Sequence, residues 1–164
     1  MNQKVNIDFG NESTNGLLSG VKKLADAVRT TMGPGGSNVL IETNGRPILT
    51  KDGVTVARSI NLIDSLENLG AQLVKEAASG AADIAGDGTT TATVLTYELF
   101  KHGTQMVNSG INPVKLRKSL QGWSEKLECS LLDASTPVRS DKEVMQVGTL
   151  SANGEREIGQ FIVD

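Results

Sequence analysis

Apolar positions along the chain follow two different periods. Near the start, Val5, Ile7 and Phe9 alternate with Asn6 and Asp8, the pattern of a half-buried strand. Gly10 and the polar run Asn11–Thr14 then read as a break. Leu17, Val21, Leu24 and Val28 recur every three or four residues and form one stripe of a helix. "MGPGG", Met32 to Gly36, ends that helix, because proline lacks the amide and clashes with the preceding turn. "NVLIETNGRPILT" reads as two short strands joined at Asn44-Gly45, a strong hairpin signal. "KDGVTVARSI" is a turn running into a short helix. Leu66, Leu69, Leu73, Ala77 and Ile84 mark a long helix broken at Gly86, and Thr89 opens another that reaches about Asn108. Asn112 is placed to cap the next helix, with Pro113 at its first position, where a missing N–H is harmless. Leu116, Leu120, Trp123, Leu127 and Leu131 supply its apolar face. Beyond Asp133 the polar stretch "ASTPVRS" reads as a linker, followed by short helical pieces around Lys142–Val147 and Glu155–Ile162. The expected fold is mainly α, with a small β-hairpin and an N-terminal strand.

Composition changes this picture in a few respects. The 164 residues suit one domain or slightly more. Aromatic residues are only 3%, so the core must be built from Leu, Val, Ile and Ala. On that basis Trp123 and Cys129 are expected on the core-facing side of their helix, Cys129 as an inert buried thiol, while the sole histidine, His102, is expected at a surface or interface. A net charge of −3 without a basic patch argues against nucleic acid as a partner. One cysteine allows no disulfide within the chain and fits a reducing compartment. "MNQKVNIDFG" lacks the regions of a signal peptide, and no apolar run reaches membrane-spanning length. A cytoplasmic protein is expected, with no membrane partner.

The stretch with candidate chemistry is "AGDGTTTATVLTYELF", Ala85 to Phe100. It sets Asp87 between Gly86 and Gly88 and places Thr89, Thr90 and Thr91 at a helix start. Helix N-termini carry unpaired N–H groups and partial positive charge, which suit phosphate. Flanking glycines let a ligand approach the backbone, and threonine hydroxyls add donors. An acid there would repel bare phosphate, but Mg²⁺ takes a carboxylate and phosphate oxygens together. The pattern therefore reads as a Mg²⁺–phosphate site, or else as a plain helix cap. It is not a Walker A loop, since no Gly-Lys-Ser/Thr follows. "TTMGPGG", from Thr30, adds a second glycine-rich turn, and "TKDGV" sets a second acid, Asp52, in a turn before a helix.

Taken together, "ADAVRTTMGPGGSNVLIE", "PILTKDGVTVARSI", "ENLGAQLVKEAAS", "AGDGTTTATVL", "GINPVKLRKSL" and "VGTLSANGE" resemble the opening part of a GroEL-type (group I) chaperonin, in the same order and at similar spacing. Such proteins are double-ring, ATP-driven folding machines whose subunits have equatorial, intermediate and apical domains. The resemblance implies an equatorial-type helical bundle over residues 1–133 and the start of an intermediate domain over 134–164. It implies ATP with Mg²⁺ as ligands, and K⁺ besides. The turn Thr31-Met32-Gly33-Pro34 resembles the loop against the phosphates. Gly86, Gly88, Thr89, Thr90 and Thr91 resemble the phosphate cradle, and Asp87 the acid that ligates Mg²⁺. Asp52 resembles an acid near the γ-phosphate and the attacking water, with Gly53 its turn partner. Thr31, Lys51 and Thr90 resemble positions that serve K⁺. Gly35 is a departure, standing where GroEL-type sequences often carry lysine. The second equatorial segment, the returning intermediate segment with its water-orienting acid, and the apical domain lie outside these 164 residues, so ATPase activity of the chain itself is left open. Implied partners are other chaperonin subunits, with unfolded clients and a lid co-chaperonin only through an apical part supplied elsewhere. The alternative is a truncated, non-catalytic protein that docks on chaperonin subunits.

Overall fold

The structure, a computed structural model, describes residues 7–43, 45–152 and 154–164. The chain divides into two compact units, Met1–Ile111 and Asn112–Asp164.

The first unit opens with helix α1 (Gly10–Arg29). The polar run Asn11–Thr14 is thus the helix's first turn and not a break. Asn11 and Glu12 are exposed, Ser13 and Thr14 are half-buried, and Thr14 Oγ1 donates back to the Gly10 carbonyl at 3.2 Å. Glu12 suits the positive end of the helix. After the glycine-rich turn come strands β1 (Val39–Thr43) and β2 (Arg46–Thr50), an antiparallel hairpin in the register Val39↔Thr50 to Thr43↔Arg46. Helices α2 (Gly53–Ser59), α3 (Ser65–Ala85) and α4 (Thr89–Asn108) follow. Among the described residues the hairpin is the only sheet. The first part of the expected N-terminal strand, through Asn6, lies outside the described residues. Ile7–Phe9 join no ladder, and Ile7 and Phe9 are exposed.

The core is aliphatic, as the scarcity of aromatics requires. Val21, Leu24, Ala25 and Val28 of α1 meet Val56 and Ala57 of α2, Ala71 and Val74 of α3, and Tyr97 of α4. The central contact is the crossing of α1 and α3. A Cβ on Gly20 would strike the backbone of Glu67, and one on Gly70 would strike the backbone of Leu17. The two helices therefore pack main chain against main chain. Glu67 ties the crossing from the side, accepting from Ser19 Oγ at 2.8 Å and from Lys23 Nζ at 2.6 Å. This corrects the apolar face expected for α3. Its buried residues are Gly70, Ala71, Val74 and Ala78, while Leu69, Leu73 and Ile84 are exposed. Only small side chains fit where the axes come this close.

The second unit contains α5 (Pro113–Ala134), α6 (Asp141–Ser151) and α7 (Arg156–Phe161). Asn112 Oδ1 caps α5 by accepting from the amides of Val114 and Lys115 at 2.9 and 3.2 Å. No residue of α5 is buried. Trp123 is 68% exposed and Cys129 is on the surface, so the expectation of core positions for both is overturned. The stripe is real as a pattern, but nothing among the described residues of the unit buries it. Instead α6 and α7 pack on each other, where Gly148 and Gly159 allow close approach. Ser140 and Glu143 close a capping box on α6. No helix among the described residues is long and apolar enough to cross a membrane.

Candidate functional site

Three turns of the first unit carry the candidate residues. In the first, α1 unwinds through bonds from Thr31 N to Val28 O at 3.0 Å and from Met32 N to Arg29 O at 3.1 Å. The loop then folds back, with Ser37 N donating to Thr30 O at 2.7 Å and Gly36 N to Gly33 O at 3.0 Å. Thr31 is buried and its Oγ1 donates to Val28 O at 2.8 Å. Met32, Gly33 and Pro34 are exposed around it.

In the second turn Asp52 caps α2. Its Oδ1 accepts from Val54 N at 3.3 Å, and its Oδ2 accepts from Thr55 N at 2.9 Å and Thr55 Oγ1 at 2.6 Å. Partial burial pushes the carboxyl's pKa up. The hydrogen bonds from Thr55 and Val54, with the positive charge of Arg58, outweigh that push and hold it below the usual carboxylate value. An ionised carboxylate offers about four lone-pair sites. Three are taken here, so Asp52 is a fixed anion with room for one more donor. Lys51 beside it is exposed.

The third turn joins α3 to α4. Gly86 (φ 70°) ends α3 and Gly88 (φ 83°) precedes α4, both left-handed, a conformation that would strain any other residue. Helices α2, α3, α5 and α6 have side-chain caps on their first turns, whereas α1, α4 and α7 have none. The plain-cap alternative for this stretch therefore fails. Asp87 Oδ1 accepts instead from Gly88 N at 2.6 Å, outside the helix's first turn. Asp87 and Thr91 are exposed, Thr90 is half-buried, and Thr89 is buried, its carbonyl accepting from Thr93 Oγ1 at 2.9 Å.

The fold brings three of these residues into contact. Gly53, buried at the start of α2, lies against both Thr90 of α4 and Thr31 of the first turn, so that a Cβ there would meet the two hydroxyls. Met32, Gly33, Pro34, Lys51, Asp87 and Thr91 stand at the surface. The donors fit Mg²⁺. No group of three His, Cys, Asp or Glu gathers among the described residues, so no all-protein cage exists there. Mg²⁺ bound with phosphates needs only one or two carboxylates, and exposed Asp87 offers one. For K⁺, hydroxyl oxygens of Thr31 and Thr90 are suitable ligands, while Lys51 can offer only its main-chain carbonyl, because its ammonium repels a cation. Thr55 was missed by the sequence reading. The signal was present in the Asp-x-x-Thr spacing, which lets a first-turn hydroxyl reach back to a cap carboxylate.

Residues 24–164 match the model of the TCP-1/cpn60 chaperonin family. The chain belongs to this family. Among solved structures, this chaperonin chain is similar to the chaperonin gp146 from the bacteriophage EL 2 (Pseudomonas aeruginosa), determined in the presence of ATP-BeFx. In crystal form II the identity is 28% and the TM-score 0.78, over 94% of this chain and 27% of that one. In crystal form I the identity is again 28% and the TM-score 0.76, over 94% and 28%. The chain thus spans about a quarter of the length of the phage chaperonin chains it matches.

Proposed function

We propose that this chaperonin chain forms the Mg-ATP-binding part of a subunit that assists protein folding. The observation that carries this reading is the glycine-led start of α4, left without a side-chain cap beside an exposed aspartate. Residues 1–133 belong to an equatorial domain and 134–164 begin an intermediate one.

In this reading the free amides of α4 and the hydroxyls of Thr89, Thr90 and Thr91 hold phosphate oxygens, and Gly86 and Gly88 let the phosphates come close. The Thr31–Pro34 turn would also lie against the phosphates. Asp87 holds Mg²⁺, which when bound neutralises phosphate charge. Asp52, kept ionised and fixed in direction, accepts a hydrogen bond from the attacking water. Thr31 and Thr90 hydroxyls and the Lys51 carbonyl serve K⁺. Transfer of the phosphoryl group to water needs positioning and charge rather than a covalent intermediate. Ring-forming chaperonin subunits in the cytoplasm are the partners, and clients and a lid co-chaperonin engage an apical part outside this segment.

The test is titration with Mg-ADP. Asp87→Ala should weaken binding about tenfold or more while helicity stays constant, since the carboxylate caps no helix turn. Unchanged affinity would sink the reading. The bare apolar face of α5 favours a second reading, docking on chaperonin subunits without catalysis. A wild-type chain that binds subunits but no Mg-ADP would select it.

A further inference from the structure

Gly53 occupies the first position of α2, and its φ is not in the left-handed region. Backbone freedom therefore does not explain a glycine here, and alanine is the better helix former. What excludes alanine is space. A Cβ on Gly53 would run into Thr90 Oγ1, and would stand 3.2 Å from Thr31 Oγ1 and 3.4 Å from Thr90 Cβ. The Thr31 side cannot yield readily, because Thr31 is buried and its hydroxyl is pinned to Val28 O at 2.8 Å. On the other side α4 is anchored in the core by Thr93 and Tyr97. An added methyl would move the start of α4 or turn the Thr90 side chain away, and in both cases the hydroxyl leaves Gly53.

We infer that Gly53 is a positioning residue: its missing side chain sets the separation between the Thr31 turn and the start of α4, so that both can hold one nucleotide's phosphates. The inference rests on the nucleotide reading above. It assigns Gly53 no contact with the ligand. The residue acts through the two threonines, and the severe clash is with one atom, Thr90 Oγ1.

The test uses the chain and four variants: Gly53→Ala, Thr90→Ala, the double variant, and Val74→Ala as a core-destabilised control away from the turns. Thermal melts are combined with Mg-ADP titration well below every melting temperature. Gly53→Ala should melt below wild type and bind Mg-ADP about tenfold more weakly. Val74→Ala should also melt lower but keep its affinity, which separates positioning from general loss of stability. The double variant should melt no lower than Thr90→Ala, because the added methyl then has room. A Gly53→Ala protein that melts at or above wild type, or binds Mg-ADP like wild type, overturns the inference. So does a double variant that falls below Thr90→Ala as far as Gly53→Ala falls below wild type. If Gly53→Ala does not fold, recovery of folding in the double variant supports the inference and continued unfolding overturns it. A wild-type chain without Mg-ADP binding overturns the nucleotide reading and this inference with it, an outcome distinct from failure of the melts alone.

Discussion

Helices α3 and α5 have nearly the same length, 21 and 22 residues, and both carry leucines at helical spacing. Yet α3 buries four residues and α5 buries none. The difference lies in the small residues. The buried set of α3 is Gly70, Ala71, Val74 and Ala78, and it lets α1 approach to backbone contact. The stripe of α5 is made of Leu120, Trp123, Leu127 and Leu131, large side chains that nothing among the described residues of their unit buries. A regular apolar stripe thus marks a face that can be covered. The size of the residues beside it decides how closely another helix can come.

The strongest way to break this comparison is to truncate one leucine of α1 in the core that α3 helps to close and one leucine on the stripe of α5. Leu24→Ala, at 0% exposure, should cost about 2–5 kcal/mol in urea unfolding. Leu127→Ala, 59% exposed, should stay within about 0.5 kcal/mol. Equal costs would mean that α5 is covered in the isolated chain. Next comes the tight contact of the second unit, which lies between α6 and α7. A Cβ on Gly159 would meet Thr149 Oγ1 and the Met145 carbonyl, so Gly159→Ala should destabilise that pair by about 1–3 kcal/mol. Residue-resolved amide exchange in α6 and α7 would register it, with α5 unaffected.

These expectations separate what was legible in the chain from what was not. Element ends were legible where a cap, breaker or turn signal is local: Asn112 with Pro113, Gly86, and the hairpin of β1 and β2. The face of α3 was not, because hydrophobicity favours large residues whereas the α1–α3 contact selects small ones. Neither was the exposure of Trp123 and Cys129, since spacing announces a face without saying whether anything packs on it. The first turn of α1 was misread because polar side chains look alike in a loop and on a partly exposed helix turn. At the candidate site, the Asp-Gly-Thr run and both acids stood out as glycine-rich punctuation. The meeting of Thr31, Gly53 and Thr90 did not, because it exists only after α1, α2 and α4 have come together.

The smallest effect concerns the two aspartates. Asp52 takes three hydrogen bonds and Asp87 one. Because the Asp52 carboxyl is held below its unfolded value, near 3.9 in model peptides, its contribution is fully present above about pH 4. It is lost as pH falls through the lower folded value. Thr55→Val removes one donor and should shrink that acid-side loss in melts recorded across the range. An identical acid limb in the variant would show that the Thr55 hydroxyl does not hold the carboxylate ionised.

The bond between Ser19 and Glu67 spans 48 positions of sequence, so the α1–α3 crossing it flanks is the knot of a large loop. Closing a flexible loop of that length costs about 3 kcal/mol of chain entropy beyond a constant. The turns at 30–36 and 50–53 lie inside this loop, together with the hairpin and α2. Their mutual geometry is therefore a product of topology. Gly20 and Gly70, neither of them among the candidate site residues, set how closely the ends of that loop meet, and with it the frame in which the two candidate turns find each other.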